Sequence, residues 1–230
     1  SFILRSPSKE NKDLFYNGIK TAVDLLKASK KLVKQKKYVK IYTEDALNKI
    51  LPFILKQDKM ALDTEATSKD SHVAKLLVVS VSFEASTGIG IPYNKVVGRD
   101  IVPYWPVETM IKLKNFFKIL VNKPLVLQNS KYDSLVFQTN LGFPISNVGF
   151  DTMLASHLLN SNETSNLEDL VRRHLPEEAA YKTDFWNKFT QAEQDSGAWI
   201  YKIDYDKLMD YCIHDSDLTF QLAQLLARKL

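Results

Sequence analysis

The stretch Lys59-Met60-Ala61-Leu62-Asp63-Thr64-Glu65-Ala66-Thr67-Ser68 constrains this chain more than any other. Met60, Ala61 and Leu62 read as a short apolar strand, and two acids follow at i and i+2. Successive strand side chains point to opposite faces, so Asp63 and Glu65 share one face while Leu62 and Thr64 share the other. Two carboxylates held that close repel each other unless a cation offsets them. Two readings stand side by side. The strand runs out into a solvated turn, or the acids are half of a divalent-cation site whose hard oxygen ligands suit Mg2+ or Mn2+.

The pattern around this strand predicts an α/β domain. Residues 9–37 read as a helix with Leu14, Ile19, Val23, Leu26 and Val33 on an apolar stripe, and lysines crowd its end. Thr43 reads as the N-cap of a helix carrying Ala46, Leu47, Ile50, Leu51 and Ile54 at helical spacing. Strands at 59–65, 76–83 and 88–93 form an antiparallel meander, and the polar connection 66–75 borders a cleft beside the acids. A helix over 107–121 follows, then a buried strand over 125–128 that ends in Asn129-Ser130. A helix from about Lys131 carries Asp133, with Asn129 as its cap. A short strand over 148–150 delivers Asp151. Helices over 152–160, 166–175 and 205–229 complete the pattern, with a shorter one around 185–195. The expectation is a mixed five-stranded sheet flanked by helices, with a helical C-terminal half.

Composition narrows the class of protein. The length suits one large domain, or one domain plus an appendage. No apolar run is long enough for a transmembrane helix, and the start is too short and too soon polar for a signal peptide. A single cysteine, Cys212, excludes an internal disulfide, so a reducing intracellular setting is expected rather than secretion. Charge is uneven. Residues 1–40 hold eleven Lys/Arg against three Asp/Glu, and residues 41–230 hold twenty against twenty-four. A basic helical extension at 1–39 on a mildly acidic core at 40–230 suits either solubility or contact with a nucleic-acid backbone.

Three further residues stand where a sheet would bring them near Asp63 and Glu65. Asp133 lies just beyond a strand end, and Asp215 sits in a helix with Tyr211 four residues earlier on the same face. Each is unremarkable alone, but in order they read D-x-E, N-x-x-x-D, Y-x-x-x-D. The set Leu62-Asp63-Thr64-Glu65, Gln128-Asn129-Ser130-Lys131-Tyr132-Asp133 and Tyr211-Cys212-Ile213-His214-Asp215-Ser216-Asp217 resembles the DEDD superfamily of 3′–5′ exonucleases, in its tyrosine branch. The stretch Phe150 to Asn160 resembles the proofreading exonuclease domain of family A, DNA polymerase I-like polymerases. The resemblance covers about residues 40–230.

That resemblance implies a ribonuclease H-like fold and hydrolysis assisted by two divalent cations, Mg2+ or Mn2+. Asp63, Glu65 and Asp215 would hold the cation that activates water, and Asp63 would bridge to a second supported by Asp133. Tyr211 would position the water, since a neutral phenol is a poor base and a good orienter. Asn129 would support these residues or touch the terminal nucleotide. The substrate would be a single-stranded DNA 3′ end. From their placement, Phe185 and Trp186 are candidates for base stacking and Arg173 for a phosphate, with core packing and a helix surface as the plainer readings. Lys69 stands where the proofreading pattern often has an apolar wedge, which makes it a candidate substrate contact and argues against base stacking there. The missing initiator Met and a final helix running to the last residue suggest a polymerase domain in the same full-length chain. Two alternatives remain: a ribonuclease D-like RNA exonuclease, and an inactive exonuclease-fold scaffold or DNA-binding module, although all four carboxylates and the tyrosine are present.

Overall fold

The computed structural model describes residues 35–230. The predicted helix over 9–37 lies outside them except for its last residues, and there the expectation is corrected. Lys37–Lys40 is a strand, β1, whose alternate residues are exposed and half-buried. It is pinned by Lys37 N–H donating to Ser86 O and by the Tyr38 hydroxyl donating to Asp217 Oδ2. The compact unit begins at Lys37.

Helix α1 (Glu44–Leu55) starts at Thr43, whose side chain accepts from the Ala46 amide as predicted. Strands β2 (Met60–Ala66), β3 (Leu76–Ser82) and β4 (Thr87–Pro92) form the expected antiparallel meander. A hairpin that the sequence reading missed follows, β5 (Asn94–Val97) with β6 (Asp100–Pro103), turned at Gly98 in the left-handed region. Then come α2 (Val107–Leu120), β7 (Leu125–Leu127), α3 (Ser130–Leu141), β8 (Val148–Asp151), α4 (Thr152–Leu159) and α5 (Leu167–His174). The single helix expected around 185–195 is two, α6 (Ala180–Trp186) and α7 (Gln191–Ser196). The break falls at Thr190, which caps α7 in a reciprocal box with Glu193. The last helix, α8 (Tyr205–Leu226), is capped by Asp204.

The main sheet has six strands in the order β1-β4-β3-β2-β7-β8, not five, because β1 adds an edge parallel to β4. The pairs β2–β7 and β7–β8 are parallel, so the sheet is mixed, as expected. Strand β2 lies inside it, and its alternation sorts the layers. Leu62 and its partner Val81 join the core built with Leu47, Phe117 and Phe137 from α1, α2 and α3. On the other face Val78, the partner of Glu65, packs with Met209 and Cys212 of α8. Asp63 and Glu65 therefore face α8, while Thr64 faces α3. No helix among the described residues is long and apolar enough to cross a membrane.

Helix α8 lies unusually close to the sheet because two β4 positions have no side chain. A Cβ on Gly88 would stand 2.4 Å from Ile213 Cγ2, and one on Gly90 would stand 2.9 Å from Ile213 Cδ1. Ile213 is β-branched and cannot swing aside cheaply. Gly88→Ala is thus expected to cost about 1–3 kcal/mol by overpacking. That is a fall in melting temperature of about 2–4 °C per kcal/mol in thermal denaturation. An unchanged melting temperature would contradict the close approach.

Candidate active site

Asp63 and Glu65 leave the end of β2 on the face that α8 covers. A carboxylate oxygen from each and the Cys212 thiol sulfur all lie within 4.8 Å of one another. Cys212 is fully buried, with its sulfur 3.3 Å from Ser80 Oγ and 3.7 Å from Asp63 Oδ2. Burial first, then the charges of Asp63, Glu65 and Asp215, pushes its thiol well above the ordinary range. The protonated thiol is a weak donor to Asp63.

Asp215 lies one turn along α8 from Tyr211 and is buried. Its Oδ1 accepts a hydrogen bond from the hydroxyl of Tyr181 on α6. Burial and the charges of Asp215 and then Asp63 hold the Tyr181 phenol far above its usual range. Tyr211 is enclosed by α6 as well. Phe185 stacks on it at 3.9 Å and 23°, and Trp186 Nε1 donates to its hydroxyl at 3.1 Å.

Asp133 enters from α3, on the opposite face of β2. Thr64 Oγ1 donates to its Oδ1 at 2.6 Å, and the carboxyl is buried. Burial, reinforced by the charge of Asp151 and opposed by the Thr64 hydrogen bond, pushes its pKa up to about 7. The Tyr132 phenol next to it is raised by burial and then by Glu65, Asp133 and Asp63, so the carboxylates share neighbours across β2. A carboxyl whose folded pKa lies above its unfolded value stabilises at acid pH and loses that contribution as pH rises through about 7. In metal-free buffer at pH 8, Asp133→Asn is accordingly expected to melt higher than wild type, because the amide still accepts from Thr64 without carrying a charge. A lower melting temperature would mean that the carboxylate itself is a stabilising contact.

Asn129 does not cap α3 as predicted. Its backbone is left-handed (φ 60°) and its side chain makes no capping bond. Asp151 does that work from the next strand. Its carboxylate accepts from the Asn129 and Ser130 amides at 3.3 and 2.8 Å, and from Met153 and Leu154 at the start of α4. One buried acid thus sets both helices. Asn129 instead lines a cleft of about 470 Å³ with Glu65, Ser68, Lys69, Tyr132, Trp186 and Ser196. The cleft rim is tied down by Tyr132 OH donating to Ser68 O and by Gln194 Nε2 donating to Trp186 O.

The substrate candidates therefore separate. Lys69, Asn129 and Trp186 stand at the cleft. Phe185 is a correction, because it is buried against Tyr211 and does not line the cleft. Arg173 is another. Its guanidinium is engaged by Glu163 and the Thr164 carbonyl on the surface of α5, away from the cleft lining. The sequence reading gave no role to Tyr181 or Thr64, and it placed Asp151 at a strand end without assigning it the capping of α3 and α4.

The donor set suits a divalent cation. Asp63 and Glu65 present their oxygens together beneath α8, which carries Asp215, while Asp133 lies against Thr64 on the other face of the strand. Residues 38–230 match the family model described as 3′–5′ exonuclease, of the DNA polymerase A type. DNA polymerase I of Borreliella burgdorferi is 28% identical over 194 residues, 84% of this chain. The chain spans only 20% of that polymerase's length. The POL domain of Pol1 from M. smegmatis, solved with DNA primer-template and dNTP, matches 83% of this chain and 27% of its own, with TM-score 0.56 and 14% identity. Escherichia coli RNase D, an exoribonuclease involved in structured RNA processing, matches 84% of this chain and 45% of its own, with TM-score 0.53 and 15% identity. At such identities both structures show the shared ribonuclease H-like fold.

Proposed function

The chain belongs to the 3′–5′ exonuclease family of the DNA polymerase A type, and on that premise we propose that it removes nucleotides stepwise from single-stranded DNA 3′ ends. The observation that carries the reading is the shared placement of Asp63 and Glu65 on β2 with Tyr211 and Asp215 on the helix covering that face. Asp63, Glu65 and Asp215 would hold one divalent cation, and Asp63 with Asp133 a second, either Mg2+ or Mn2+. Bound there, such ions supply an activated water and charge neutralisation at the phosphoryl oxygens.

The chain's own residues do the rest. Tyr211 accepts from Trp186, and its hydroxyl would orient the attacking water. Lys69 and Asn129 on the cleft wall face the terminal nucleotide, where an ammonium suits a phosphate and an amide suits a sugar or base edge. Proofreading within a longer polymerase is the physiological setting we infer, because the relative that this chain resembles is a DNA polymerase I several times longer.

DNA and RNA strands of one sequence and length, offered together with Mg2+, test the substrate. Faster shortening of DNA supports the proposal. A preference for RNA would instead make this a ribonuclease D-like enzyme, and cleavage of neither would make it a scaffold.

A further inference from the structure

We propose that Tyr181 is a positioning residue of this site, whose hydroxyl fixes the Asp215 carboxylate in the orientation that a divalent cation requires. The inference rests on the exonuclease reading and adds to it a residue outside the sequence motifs.

Three contacts support it. The Tyr181 hydroxyl is hydrogen-bonded to Asp215 Oδ1. Its ring is held 3.9 Å from the His214 ring and 5.9 Å from that of Tyr211, so the hydroxyl has little freedom to leave. Just before α6, Glu178 pairs with His214 Nε2 at 2.9 Å, which fastens the segment to α8 a second time.

Tyr181 and Phe185 are four residues apart and share a face of α6. One helix face therefore grips both groups that α8 contributes to the reaction: the carboxylate through Tyr181 and the phenol through Phe185. A carboxylate otherwise turns about its own bonds, and a fixed donor on one oxygen removes that freedom before the cation arrives. Partners that orient ligating groups in this way are typically worth about 10–100-fold in metal affinity or activity.

Tyr181→Phe removes the hydroxyl and keeps the ring. The measurements are Mn2+ affinity by calorimetry, strand cleavage over a range of Mn2+ concentration, and thermal melting, all on the 230-residue chain. The expected result is Mn2+ binding weaker by about 10–100-fold, with cleavage restored at high Mn2+. Adding Tyr181→Phe to an Asp215→Ala chain should weaken Mn2+ binding no further, since the alanine leaves the hydroxyl no carboxylate to hold.

Unchanged Mn2+ affinity would overturn the proposal. So would tighter binding, which would make the phenol a competitor of the cation. Lost activity that high Mn2+ does not restore, or a variant with no cooperative melt, would make the hydroxyl a folding contact and also overturn it. A wild-type chain that cleaves no 3′ end refutes the exonuclease reading instead, and the calorimetric result still reports on Tyr181.

Discussion

Asp63→Ala and Asp215→Ala are each expected to abolish 3′-end cleavage while leaving the fold intact. Asp63 is the acid most closely shared: its oxygen lies within 4.8 Å of ligand atoms of Glu65 and Cys212, and its charge reaches both Tyr132 and Tyr181. Removing it takes away the one carboxylate proposed to touch both cations. Its backbone pairing with Ser80 is untouched, so β2 should stay in register. Asp215 is the carboxylate of α8 proposed as a ligand, and without it a cation would be held from the β2 side alone. Removing one charge from a group of like charges also relieves repulsion when no metal is present. Asp63→Ala should therefore melt no lower than wild type in chelator, while Asp215→Ala also costs the buried Tyr181 hydroxyl its acceptor. Rates on a labelled strand and melting curves check the two halves, and wild-type turnover in either variant would sink the ligand assignment.

Tyr211→Phe is expected to lower the turnover rate by roughly 10- to 1000-fold, the scale of one lost transition-state hydrogen bond. Mn2+ affinity should be nearly unchanged, because no ligand is removed. The ring should remain stacked on Phe185, while the Trp186 indole loses its acceptor. High Mn2+ should not restore the rate, and this separates Tyr211 from Tyr181, whose loss it should repair. A collapse of Mn2+ affinity in Tyr211→Phe would show that the phenol supports the ligands rather than the water.

The fold was legible wherever periodicity and punctuation agreed. The β2–β3–β4 meander, the Thr43 cap and helix α8 follow from apolar spacing and polar breaks. Strand β1 was not, because Lys36 and Lys37 continue a lysine run that reads as a helix end. What makes 37–40 a strand is an edge 50 residues away, at Thr87 to Gly90. The motif acids were legible because their order is distinctive, but their partners were not. Tyr181 meets Asp215 across 34 residues and Thr64 meets Asp133 across 69, so no local pattern announces either contact. Asp151 displaced Asn129 as the cap of α3 for a similar reason, since a neighbouring strand delivers a carboxylate to those amides. Phe185 and Trp186 are adjacent aromatics, and only the packing of α6 on α8 decides that one is buried and the other lines the cleft.

The most direct test follows a 5′-labelled single DNA strand over time in Mg2+, with chelator and with the Asp63→Ala chain as controls. The expected result is a ladder that shortens one nucleotide at a time from the 3′ end, stops on chelation and is absent with Asp63→Ala. An intact strand, internal cuts, or a ladder that persists with Asp63→Ala would contradict it.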